Sequence, residues 1–173
     1  MSKQLAKFIG VHGLAAVALL STLSMSKIEA VQAGATNDGI VRVKSAYGVD
    51  DTIARLKQDI ALKGIKFFSE VDQAKLAAEV GVNLRRSTLL MFGNPPLGTQ
   101  FITSNPNAGL DWPVRLLVTQ DETGAVWAVY TDFDWVARRH RITDRDAQFK
   151  MASDVIASIT SSVKEGVEPP GSK

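Results

Sequence analysis

Residues 114–131 read VRLLVTQDETGAVWAVYT. Two apolar runs, Val114 to Thr119 and Val126 to Thr131, flank Asp121-Glu122-Thr123-Gly124. Turn formers set between two β-prone runs predict a tight hairpin, and therefore an antiparallel sheet. Upstream, Ser87 to Phe92 (STLLMF) is an apolar run suited to a buried strand, stopped by Gly93-Asn94-Pro95-Pro96. Ile40 to Val43 (IVRV) alternates apolar and polar, and Ile65 to Val71 (IKFFSEV) is strand-like. About five strands result.

Helical signals lie between and after the strands. Val49-Asp50-Asp51-Thr52 reads as a helix start, with an Asp to cap it and acid in the first turn. Ile53, Leu56, Ile60 and Ala61 share one face of that helix, and Gly64 ends it. Asp72 is placed to cap a second helix holding Ala74, Leu76, Ala77 and Val80, closed by Gly81. A short helix fits Leu97 to Thr103, inside the long Asn/Pro/Gly-rich stretch 94–111. Another fits Asp132 to Arg139. Thr143 can cap the last helix, with Asp146 three residues on and an apolar stripe of Phe149, Ala152, Val155, Ile156 and Ile159. The fold expected is α+β, a mainly antiparallel sheet with helices on one face, as a single domain over 40–165.

The chain begins as an exported protein does. Lys3 and Lys7 precede the uncharged apolar run LAAVALLSTLSM at 14–25, and Val31 and Ala33 sit three and one before a cut at Gly34. Residues 1–33 are thus expected to be a cleaved signal peptide, 34–39 a flexible lead-in and 166–173 a disordered tail. The expected location is periplasmic or extracellular. The apolar run is shorter than the ~18–20 residues of a spanning helix, so no membrane span is expected after cleavage. The leader carries Lys3, Lys7 and Lys27 against Glu29, a net of +2, and the whole chain is also +2. The remainder is formally neutral, which argues against nucleic acid as a partner.

The chemistry is sparse. There is no cysteine, and His140 is the one histidine after residue 33. A zinc site and a cysteine nucleophile are therefore not expected, nor any cofactor. His140 sits in Arg138-Arg139-His140-Arg141, which suggests a surface turn rather than a triad base. Gly93 and Gly98 fit no phosphate-cradling spacing.

Several segments together resemble the domain of unknown function 302 (DUF302) family: GVDDTIARL at 48–56, GIKFFSEVDQA at 64–74, LLMFGNPPLGT at 89–99 and LDWPVRLLV at 110–118, followed by Asp121, Gly124 and Tyr130. Phe92-Gly93-Asn94-Pro95 is the most specific piece. The resemblance implies a compact α+β domain, allows a homodimer and supplies no activity. Family members often carry Asp-His where this chain has Asp72-Gln73.

The stretch 92–113 is the best site candidate, because long loops in compact domains tend to be functional. Phe92, Asn94, Pro95, Thr99, Asp111 and Trp112 are its candidate ligand-binding residues, with Asn94 and Asp111 as hydrogen-bonding groups and Trp112 as a stacking wall. The other reading is that Asn94 and Asp111 bond to nearby backbone and hold turns, the usual job of such residues in loops or before proline. Arg138, Arg139 and Arg141 form a candidate anion site, or a solvated face. The first expectation is a non-enzymatic envelope protein binding a small ligand or a protein. Two alternatives stay open: a carboxylate enzyme using Glu70, Asp72 and Asp111, and a self-associating stress or scaffold module.

Overall fold

The structure is a computed structural model that describes residues 37–166. The expected leader, its cut after Ala33 and nearly all of the expected tail lie outside those residues. Helices cover one face of a five-stranded antiparallel sheet whose strand order is β1-β5-β4-β3-β2. Strand β1 (Ile40–Lys44) lies at one edge and β2 (Lys66–Asp72) at the other. Helix α1 (Val49–Leu62) joins them across one face. Its 14 residues make a rod of about 21 Å, close to the ~19 Å across four inter-strand spacings. The chain then returns strand by strand. Strand β3 (Ser87–Gly93) pairs with β2, β4 (Val114–Gln120) with β3, and β5 (Val126–Thr131) with β4 and with β1.

The expected hairpin is present. The Asp121 carboxylate accepts from Thr123 N–H (2.9 Å), Thr123 Oγ1 (2.7 Å), Ala125 N–H (3.0 Å) and Trp127 Nε1 (2.7 Å). The Thr123 hydroxyl, then the Trp127 indole N–H, hold the Asp121 carboxyl down to about 2.

The core lies between one sheet face and the helices. Val41, Val43, Leu90, Phe92, Leu116, Val118, Val126 and Ala128 meet Ile53, Leu56 and Ile60 of α1 and Phe149, Ala152, Ile156 and Ile159 of α5 (Asp146–Ser161). The other sheet face carries the cross-strand row Val71, Leu89, Leu117 and Val129, half-exposed and outside that core.

Several local expectations are corrected. Gly48, not an Asp, caps α1, and it makes no side-chain bond there; Asp50 and Asp51 lie in the first turn. Ala61 is exposed, while Asp59 takes a buried place on the helix. Asp72 does cap α2 (Gln73–Glu79), accepting from Lys75 N–H at 2.9 Å. That helix nevertheless buries nothing: Leu76 and Val80 are exposed, because it lies outside the layer between sheet and helices. Arg145 rather than Thr143 precedes α5, again without a capping side-chain bond. The end of the expected lead-in is a packed turn. Gly39 has φ +77°, and its backbone runs so close to Trp135 that a Cβ would lie 2.3 Å from the indole.

Candidate functional site

The stretch expected to be mostly irregular is largely helical. Asn94 precedes α3 (Pro95–Ser104), and a short 3-10 helix (Pro106–Asp111) follows at once. Proline suits the first helical positions, where an N–H would have no partner within the helix. Asn105 ends one helix and starts the next: Oδ1 accepts from Asn107 N–H (2.9 Å), while Nδ2 donates to the His140 carbonyl (2.7 Å). Phe101 of α3 stacks on Phe149 of α5 with ring centroids 4.2 Å apart.

This arrangement leaves a cavity of about 580 Å³ between the end of β3, α3 and α5. Phe92, Leu97, Phe101, Trp112, Val114 and Phe133 wall it on one side, and Met151, Ala152, Val155 and Ile156 on the other. The polar residues around it, Lys63, Asn94, Lys150, Asp154 and Ser158, are all exposed, so they form its rim. Its size lies within the ~300–1,000 Å³ typical of small-molecule sites, and so does its chemistry of apolar walls with few polar groups.

One wall is fixed by two glycines. A Cβ on Gly93 would lie 2.2 Å from Trp112 Cη2, and a Cβ on Gly98 2.2 Å from Trp112 Cε2. Only bare backbone lets the indole lie against both the end of β3 and the first turns of α3. The spacing that fits no phosphate loop is thus a seat for a tryptophan. The N-terminus of α3 is no anion cradle either. Pro95 and Pro96 have no N–H, and those of Leu97 and Gly98 bond the Asn94 carbonyl at 3.1 and 2.9 Å.

The family model described as "Domain of unknown function DUF302" matches residues 41–164. The chain belongs to the DUF302 family. A crystal structure of an uncharacterized conserved DUF302 protein from Bacillus stearothermophilus has the same fold, with a TM-score of 0.67 at 16% identity over 73% of this chain and 98% of that one. Among curated proteins, the fluoride-specific ion channel FluC 1 of Brucella suis biovar 1 (strain 1330) is 36% identical over 106 residues, 61% of this chain and 42% of its own length. Fluoride-specific ion channel FluC 2 of Brucella melitensis biotype 1 matches equally well over 39% of its length. The chain thus spans about two fifths of the curated relatives it matches. Among the described residues of this DUF302 domain, no helix is long and apolar enough to cross a membrane.

Of the six candidate residues, Phe92, Asn94 and Trp112 meet at the cavity. Pro95 opens α3 beside it, and Thr99 donates its hydroxyl to the Pro95 carbonyl at 2.9 Å; neither forms part of the wall. Asp111 is not a cavity residue. Its carboxylate receives Arg115 (2.9 Å), Arg139 (3.2 Å) and His140 Nε2 (2.6 Å). The side chains of Asp111 and His140 are 6% and 5% exposed. His140 is therefore a buried residue, not part of a surface turn. This knot ties the 3-10 helix to β4 and to α4 (Phe133–His140), which Asp132 caps by accepting from Trp135 N–H at 2.8 Å.

The arginine cluster divides. Arg139 serves Asp111 and lies over the Trp135 ring, 5.4 Å from its centroid. Arg138 and Arg141 line an open cleft that also contains Asp134 and Asp146, so its charge is mixed. The three carboxylates of the enzyme alternative do not converge. Glu70 pairs with Lys57 at 2.8 Å, Asp72 caps α2, and Asp111 holds His140. Among the described residues, no three His, Asp or Glu side chains gather as a metal site. The reading from sequence missed Gly93, Gly98 and the Asp111–His140 pair. A Phe-Gly-x4-Gly pattern with a Trp downstream was the available signal for the first two.

Proposed function

We propose that this domain is a non-enzymatic binding module whose ligand is a small, mainly apolar molecule held in the cavity walled by Phe92, Phe101, Trp112 and Phe133. The observation that carries this reading is the cavity itself: apolar side chains on both sides and an indole seated rigidly on glycine backbone. Burying apolar ligand surface there is worth ~25 cal/mol per Å² before the costs of association. Titration with the uncharged dye Nile red tests it. Saturable binding that Trp112→Ala abolishes is the expected result; binding that does not saturate, or that the variant retains, defeats the reading.

We also propose that the domain acts after export, on the strength of the apolar run at 14–25 and the small residues before Gly34. N-terminal sequencing of protein from the cell envelope should begin at Gly34; a retained Met1 contradicts export with cleavage.

A second reading places the domain in fluoride handling, as a module that works beside a channel. It is supported by the 36% identity to segments of two channels bearing that function in their names. Loss of the protein should then lower fluoride tolerance, and unchanged tolerance removes this reading.

A further inference from the structure

We infer that the molecule held in this cavity is uncharged and ends in one hydrogen-bonding group, such as a carboxamide, which Asn94 reads. This inference rests on the cavity reading above and adds the chemical class of the ligand. The charges at the rim are already matched within the protein. Lys63 Nζ lies 2.8 Å from the nearly buried Asp59 carboxylate, and Lys150 Nζ lies 2.8 Å from Asp154. An ionised ligand would have to compete with Asp59 or Asp154 for a lysine, or enter an apolar cavity without a counter-charge, and the second is strongly unfavourable.

The neutral rim groups are Asn94 and Ser158. Asn94 occupies a helix-capping position, where an asparagine side chain ordinarily accepts a bond from the second or third N–H of the helix. Here Pro96 removes the second N–H, and the third, from Leu97, goes to the Asn94 backbone carbonyl at 3.1 Å. The Asn94 carboxamide therefore makes no capping bond, and among the described residues it has no partner. The Pro95-Pro96 pair leaves the Asn94 NH2 donor and carbonyl acceptor without a capping bond at the mouth of an apolar cavity. A carboxamide or a similar donor–acceptor group on the ligand complements both.

The test is calorimetric titration with four compounds of one apolar body: phenylbutyramide, phenylbutyrate, phenylbutylamine and butylbenzene. The amide should bind at least about fivefold more tightly than either ion. Asn94→Leu, which replaces a side chain that holds no bond, should weaken the amide by about fivefold. The inference is overturned if either ion matches the amide, or if Asn94→Leu binds the amide as the parent does, while the cavity reading stands. Binding by none of the four overturns the cavity reading and this inference with it.

Discussion

The Trp112 indole lies where a side chain on Gly98 would have to be, with 2.2 Å separating Cε2 from the position of a Cβ there. Trp112 and Gly98 are fourteen positions apart in the chain, yet position 98 has no room for a side chain while the indole stays in place. The family motif is thus a packing device that builds one wall of the cavity.

Gly98→Ala and Gly93→Ala should each destabilise the protein by about 1–3 kcal/mol, since an added methyl in a filled contact forces the ring away. Gly109→Ala is the control, because nothing lies within 4 Å of its Cβ position. Thermal melting separates the two cases. A Gly98→Ala protein that melts with the parent would show that the indole moves freely.

Phe92 and Asn94 are neighbours of the same cavity with opposite structural weights. Phe92→Ala should cost about 3–5 kcal/mol, as the ring is 2% exposed. Asn94→Ala should stay within about 0.5 kcal/mol, as the side chain is exposed and makes no capping bond. Denaturant unfolding measures both, and a large loss at Asn94 would identify it as a turn-holder.

Asp111→Ala leaves His140, 5% exposed, without its 2.6 Å partner and frees Arg115 and Arg139. Removing this buried acceptor leaves the buried imidazole unpaired while the two partly exposed arginines regain water, at an expected cost of about 1–3 kcal/mol. Nile red affinity of the folded fraction should be retained, because Asp111 does not line the cavity. A stable variant that loses binding would instead move Asp111 into the site.

The Asp121 carboxyl titrates at about 2 in the folded hairpin against an ordinary 3.8. A carboxylate lowered by folding contributes stability above its unfolded value and loses it as pH falls through its folded one. Wild type should therefore melt above Asp121→Asn at about pH 5, and the gap should close as pH falls from about 4 to about 2. A gap that is constant across that window would mean that hydrogen-bond shape, not charge, holds the turn.

Strand β1 was legible because its residues alternate, β3 to β5 because they are short apolar runs bounded by turn residues, and the hairpin because Asp121 and Gly124 lie inside it. The capping of α2 by Asp72 was legible for the same reason: the acidic residue precedes the helix by one position. Leu76 and Val80 misled because helical spacing marks an apolar stripe without saying whether anything covers it. His140 misled because its cationic neighbours are local, whereas Asp111, which buries it, is 29 residues away.

The sequence by itself determined the α+β class, the antiparallel sheet, the family and the absence of cysteine chemistry. The class, the sheet and the missing thiol chemistry rest on periodicity, turn residues or composition, which act over a few residues, and the family on its resemblance in short motifs such as Phe92-Gly93-Asn94-Pro95. Only the tertiary structure decided that Phe92, Asn94 and Trp112 share a cavity while Asp111 leaves it, and that Arg139 departs from Arg138 and Arg141. Those outcomes depend on which elements pack side by side. Burial and pairing across tens of residues set them, and no short-range pattern encodes such distances.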